Sequence, residues 1–133
     1  MKWLITLVLF APTGALICYV SDEVTGAKSA EKNEKWTHCV VASTSLHAGA
    51  PIQLFGVDND KDYTPLFDAA YDLDVSTGPY SYKMLSPCVY ERYVSNMRLQ
   101  PTYMFRCICK TDGCNNASSF EEFIENLKFP RFH

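Results

Sequence analysis

From Trp36 to Thr44 the chain reads WTHCVVAST, a run of aromatic and β-branched residues that predicts a strand. IQLFGV from Ile52 to Val57 predicts a second strand after the break at Ala48-Gly49-Ala50-Pro51. Beyond the TGPY turn, SYKML, PCVYERYV and PTYMFRCICK have the same character and predict further strands of an antiparallel sheet, separated by Ser-Pro and by the Asn96 to Pro101 loop. The stretch from Ser21 to Lys35, SDEVTGAKSAEKNEK, is polar and mixed in charge, and reads as an exposed loop or loose hairpin tip. Near the end, Ser118 or Ser119 precedes FEEFIENLKF, with Glu in the first turn and Lys in the last. This predicts a short helix over residues 118–128 with Phe120, Phe123, Ile124 and Leu127 on one face.

The middle of the chain has a different pattern. VDNDKDYTPLFDAAYDLD, from Val57 to Asp74, holds six Asp against one Lys, with Tyr63, Phe67 and Tyr71 spaced four apart as on one stripe of a brief helix whose first turn would contain Pro65. From Lys83 to Lys110 the balance reverses, with five basic residues against Glu91, so an acidic middle precedes a basic third segment.

The first fifteen residues, MKWLITLVLFAPTGA, combine a basic start, an apolar run from Trp3 to Phe10 and small residues near Ala15, the pattern of a cleavable secretory signal. The apolar run is too short to span a bilayer, and the terminal NLKFPRFH is neither a transmembrane nor a glycolipid anchor. The expected product is a secreted, extracellular single domain over residues 16–133. A formal net charge of −3 gives no footprint for nucleic acid.

Cleavage after Ala15 keeps all six cysteines, Cys18, Cys39, Cys88, Cys107, Cys109 and Cys114, an even number that suits disulfides in an oxidising compartment. A structural zinc site would need four ligands in separated pairs, and a redox site would need a CxxC; neither pattern occurs. Two apart on a strand, Cys107 and Cys109 project to one face and can serve different partners, while Lys110 to Gly113 lets the chain reverse. Spacing alone leaves the connectivity open.

A Leu-x-Cys-Tyr start (Leu16, Cys18, Tyr19), a cysteine within a strand in THCVV (Cys39) and a terminal Cys-x4-Cys-Asn (Cys109 to Asn115) resemble the three-finger fold of the urokinase-receptor and lymphocyte-antigen family, the activin-receptor ectodomains and the cysteine-rich ET modules. The resemblance implies pairs Cys18 with Cys39, Cys88 with Cys107 and Cys109 with Cys114. It also implies that Asn115 ties the C-terminal strand to the cysteine knot. Two bridges usual in that family have no counterpart here, and the interval from Cys39 to Cys88 is longer, which gives an enlarged second finger over residues 45–85. The expected fold is therefore mainly β: a small, disulfide-rich, three-finger-like antiparallel sheet with that enlarged finger and a short C-terminal helix.

Candidate chemistry is sparse. Asn116-Ala117-Ser118 is the single N-glycosylation sequon. Asp58, Asp60 and Asp62 alternate as in a calcium loop, but Tyr63 and Ala69 stand where that loop needs Gly and Glu, so no metal or cofactor is expected. Together with Tyr63, Phe67 and Tyr71 they form a candidate binding patch on the long finger. His38, His47 and His133 lie in no motif with an activated Ser or Cys, and the Gly-rich calcium loop and His-Asp pair of a secreted phospholipase are absent. The expected function is non-enzymatic binding: a soluble ligand or modulator of a cell-surface receptor or channel. The alternatives are a structural or small-apolar-cargo-binding extracellular protein and, third, a secreted hydrolase, for which His47 buried beside a serine and a carboxylate would be the sign.

Overall fold

The computed structural model describes residues 14–58, 74–77, 80–94 and 100–129. Eight strands and one helix occur among them: β1 (Leu16–Ser21), β2 (Lys28–Asn33), β3 (Trp36–Ser43), β4 (Gln53–Asp58), β5 (Asp74–Thr77), β6 (Tyr80–Lys83), β7 (Cys88–Tyr93), β8 (Thr102–Cys109) and α1 (Phe120–Lys128). They form a four-stranded antiparallel sheet in the order β4-β3-β8-β7, and two separate hairpins, β1-β2 and β5-β6. The fold is mainly β and disulfide-rich, as the sequence pattern implies. Residues 1–13, which hold most of the expected signal segment, and residues 59–73, which hold the expected aromatic stripe, lie outside the described residues.

β3 is central because its sequence permits burial on both faces. Its odd positions Cys39 and Val41 join Cys18, Leu54, Cys107, Cys109, Ala117 and Phe123 in one cluster, while Val40 and Ala42 join Val57 and Ile108 in another. That alternation is the period of two of a strand sandwiched between two apolar layers. Thr37 is an extra residue in β3: Trp36 lies opposite Asp58 and His38 opposite Val57, a bulge in which Thr37 Oγ1 donates to the Val57 carbonyl at 3.3 Å.

Beside this bulge the Trp36 indole lies flat over Gly56 of β4. A Cβ at Gly56 would meet three indole atoms closer than 3.0 Å. The glycine that would otherwise weaken a strand is here the seat of an aromatic ring.

Of the two readings of Ser21 to Lys35, an exposed loop or a loose hairpin tip, the structure has a hairpin, with residues 22–27 as its tip and residues 28–33 as a strand rather than loop. KSAEKN is polar throughout and shows no apolar alternation, yet it pairs in full register with β1, from Ser21 opposite Lys28 to Leu16 opposite Asn33. The hydrogen-bonding edge of β1 recruits it, and its side chains stay in water. Gly26, at φ +70°, turns the hairpin.

The helix forms as expected. Ser119 caps it, its Oγ accepting from the Glu122 amide at 3.1 Å, while the Glu122 carboxylate accepts from the Ser118 amide at 2.7 Å. Phe123 is fully buried against the cysteine cluster, which stabilises the docked helix by about 1.5–3 kcal/mol. Phe120 meets Phe105 of β8 edge to face at 5.4 Å. Ile124, expected on the buried face, is instead exposed at its margin.

Candidate functional site

The three disulfides are Cys18–Cys39, Cys88–Cys107 and Cys109–Cys114, the pairs that the resemblance implies. Cys39 and Cys109 lie directly opposite one another in β3 and β8, yet each bonds elsewhere, Cys39 to β1 and Cys109 to the following loop. The two bridges thus converge as a clasp that joins the hairpin, the sheet and the C-terminal loop.

Asn115 completes the clasp. Fully buried, it accepts from the Tyr19 amide at 2.8 Å and donates from Nδ2 to the carbonyls of Tyr19 and Val40 at 2.9 and 3.0 Å. Its side-chain amide pairs with β1 as a backbone peptide would. Next to it the Ile17 amide donates to Asp112 Oδ1 at 2.9 Å, and the Gly113 amide donates to the Ile17 carbonyl at 2.7 Å. The loop thereby closes the side of β1 that β2 leaves open.

The strand directions follow from this clasp. Cys18 bonds to Cys39 at the base, and further along, Ser21 Oγ accepts from the Leu54 amide at 2.9 Å, so β1 and β3 run the same way. β8 returns antiparallel to β3, and β7 antiparallel to β8. The chain therefore leaves β1, β3 and β7 at one end of the molecule, away from the clasp. A large exposed apolar residue follows each of these strand ends: Val24 is 93% exposed, Leu46 62% and Val94 51%.

Two of these tips frame a cleft of about 290 Å³, lined by Asp22, Glu23, Ala42, Pro51, Ile52 and Met104. The Asp22 carboxylate does not face this cleft free: it accepts from the amides of Val24 and Thr25 at 2.9 and 2.7 Å and from the Thr25 hydroxyl at 3.1 Å. The Thr25 amide first, then the Val24 amide and the Thr25 hydroxyl, hold its pKa below the ordinary 3.8. The turn that carries Val24 is thereby fixed by its own carboxylate.

The residues expected at the binding patch divide. Asp58 closes β4 opposite Trp36, with Oδ1 buried and, among the described residues, without a hydrogen-bond partner. Asp60, Asp62, Tyr63, Phe67 and Tyr71 lie outside the described residues. The extra length of the middle region follows β4 and includes the β5-β6 hairpin, whereas β3 and β4 are joined by the short segment 44–52. No group of three or more His, Cys, Asp or Glu side chains suited to a metal ion occurs among the described residues.

His38 is buried and hydrogen-bonds through Nδ1 with Thr37 Oγ1 at 2.8 Å. His47 is exposed in the 44–52 segment, where its amide donates to Ser45 Oγ at 3.4 Å, and His133 is outside the described residues. Asn116 is exposed one residue after the buried Asn115, and its carbonyl accepts from Asn126 Nδ2 at 3.2 Å. Sequence reasoning did not single out Val24, Leu46 or Val94. The available signal was a bulky apolar residue standing alone in a polar loop, as Val24 does in SDEVTGAK.

A family model described as a family of unknown function (DUF5354) matches residues 13–128. The chain belongs to this family. Its matched span starts just before β1 and ends with α1, so the clasp, the three tips and the capping helix are all parts of the family domain. No curated protein and no solved structure matches the chain.

Proposed function

We propose that the protein is a secreted, non-enzymatic binding protein of three-finger type, a soluble ligand or modulator of a cell-surface receptor or channel. The observation that carries this reading is the presentation of Val24, Leu46 and Val94, exposed apolar residues at the ends of β1, β3 and β7 that point away from a disulfide clasp. Side chains held on a stapled scaffold lose little freedom on binding, which favours affinity from a small contact area. Three disulfides suit an oxidising compartment, and no helix among the described residues is long and apolar enough to cross a membrane.

In this reading residues 1–15 are removed, the mature chain begins at Leu16, and the exposed Asn116 carries a glycan. The acidic run from Asp58 to Asp62 adds long-range attraction toward a basic partner. The cargo-binding alternative has the 290 Å³ cleft in its favour, but that volume lies at the lower limit of about 300 Å³ for ligand pockets. A hydrolase has less support, since His47 is exposed rather than buried beside a serine and a carboxylate.

The test is saturable binding of labelled, disulfide-intact protein to intact cells, with the wild type compared against the Val24→Ser, Leu46→Ser, Val94→Ser triple variant. Loss of binding by a variant with an unchanged circular-dichroism spectrum supports fingertip recognition. Equal binding by the two proteins rejects the fingertips as the contact. Mass spectrometry of the protein recovered from the medium reads the mature terminus, the glycan and the three bridges together.

A further inference from the structure

We propose that β7 pairs antiparallel with β7 of a second copy of this chain, joining two four-stranded sheets into one. This goes beyond the fingertip reading and does not depend on it. Among the described strands, the edges of β2, β4 and β7 are treated in three different ways. β2 presents Lys28, Glu31 and Lys32, charges that keep water on an edge. The edge of β4 is occupied by β1, where Ser21 Oγ takes the Leu54 amide at 2.9 Å. β7 is the last strand of its sheet and, among the described residues, has no strand on its outer side.

The outward polar groups of β7 can be assigned. The Ile108 amide donates to the Pro87 carbonyl at 3.1 Å, so in this antiparallel register positions 89 and 91 turn their peptide groups toward β8. Cys88, Tyr90 and Arg92 therefore direct N–H and C=O away from the sheet, in a row ready for another strand.

The side chains of this edge are complementary to themselves. Tyr90 is 68% exposed and Tyr103 46%, and their rings stack at 6.1 Å. Arg92 lies opposite Tyr103, and Tyr90 lies opposite Phe105, all on one face. On the other face Glu91 is bound by Arg106 at 2.7 Å and is already neutralised. Arg92 is thus the exposed charge of the strand.

A two-fold axis at Glu91 sets Tyr90 against Arg92 of the partner subunit, and Arg92 against Tyr90 of the partner subunit. Each guanidinium then sits between two tyrosines, Tyr103 of its own chain and the partner's Tyr90, a cation–π arrangement formed twice. Shifting the axis to Arg92 opposes two arginines, and shifting it to Tyr90 sets Arg92 against Cys88 and forms neither cation–π pair. The first register is the one that the charges select.

Sedimentation of the disulfide-intact protein, from micromolar to millimolar, tests the proposal. The wild type is expected to show a monomer–dimer equilibrium. Tyr90→Lys places an ammonium opposite the guanidinium and should weaken the dimer by about tenfold or more. Adding Arg92→Glu to Tyr90→Lys makes the opposed pairs oppositely charged and should restore the dimer to about the wild-type constant. Both positions are exposed, and circular dichroism checks that each variant is folded.

A wild type that is monomeric at every concentration overturns the proposal and leaves the edge to a strand from a different protein. A dimer that ignores Tyr90→Lys overturns it as well. So does a double variant as weak as the single, because the register is then wrong.

Discussion

β2 and β7 are both six-residue edge strands, and each pairs along its length with one antiparallel neighbour. Their chemistry differs in every other respect. β2 is KSAEKN, with nearly every side chain in water; Lys28 Nζ reaches 5.9 Å from the Tyr19 ring centroid on β1. β7 is CVYERY, bonded to β8 through Cys88–Cys107 and to Arg106 through Glu91. A strand made of lysine and glutamate is held mainly by its partner's backbone, with Lys28 Nζ adding exposed contacts to the Tyr19 ring at 5.9 Å and to Ser118 Oγ at 3.5 Å, so its place depends on how firmly that partner is anchored. A strand with covalent and ionic ties to its sheet can afford to present tyrosines. The first edge repels further pairing and the second invites it.

The largest effect should come from cutting the anchor of the β1-β2 hairpin. Asn115→Asp keeps the acceptor for the Tyr19 amide but removes the donors to the Tyr19 and Val40 carbonyls and buries a charge. Each orphaned group costs about 1–3 kcal/mol, and the uncompensated charge adds to it, so we expect a loss of about 4 kcal/mol in urea unfolding. Amide exchange should accelerate in β1 and β2 far more than in β7. Equal acceleration in all three would mean that Asn115 supports the whole sheet rather than the hairpin.

The next contrast is between two bridges of nearly equal span, with sequence separations of 21 for Cys18–Cys39 and 19 for Cys88–Cys107. Loop entropy makes them worth about the same, roughly 2–4 kcal/mol each. Cys18 and Cys39 are both fully buried, whereas Cys88 is exposed, so the paired alanine variants should differ. Removing the first bridge also leaves a cavity in the core. We expect about 4 kcal/mol for the Cys18→Ala, Cys39→Ala variant and about 2 kcal/mol for Cys88→Ala, Cys107→Ala. Identical midpoints in denaturant would show that the clasp and the β7 margin contribute alike.

These contrasts also explain what the sequence made legible. β3, β4, β7 and β8 carry their own apolar or β-branched pattern, and Ser119 with Glu122 announces the helix, so local chemistry and tertiary structure agree. β2 was not legible, because nothing in KSAEKN prefers a strand until β1 offers it a hydrogen-bonding edge. The fingertips were hidden for a related reason. Val24, Leu46 and Val94 are single residues in separate segments, and only the register of the sheet brings the strand ends they follow to one end of the molecule. The cysteines were easy to find, but their pairing rested on the likeness of Cys18, Cys39 and the Cys109–Asn115 segment to a known arrangement.

A smaller effect tests β4, the third edge. Gly56→Ala drives a methyl group into the Trp36 indole and should cost about 2 kcal/mol, within the range for overpacked sites. If the clash is the whole cause, the same substitution in a Trp36→Ala background should be almost free, a coupling that a double-mutant cycle reads directly. An additive result would place the cost in the strand backbone. Edge strands would then differ by conformation as well as by side chain.

The smallest expected effect lies in the β1-β2 turn. The Asp22 carboxylate has its pKa lowered by the Thr25 and Val24 amides and the Thr25 hydroxyl, so the folded turn binds a proton less readily than the unfolded chain does. Its contribution is complete above the unfolded carboxylate pKa of about 3.9 and is lost as the pH falls through the lower folded value. Because Asp22 is exposed, the change should be local. The protection of the Val24 and Thr25 amides, measured against their intrinsic exchange rates at each pH, should fall on acidification below about pH 4, the range set by the ordinary carboxylate pKa. Asp22→Asn, which keeps an acceptor oxygen without a titrating group, should remove that pH dependence. If Val24 is a contact residue, binding to cells should weaken over the same acid range in the wild type and not in the Asn variant. Binding lost at acid pH in both would place the sensitive group elsewhere, and would separate the fixing of this turn from the use of its exposed valine.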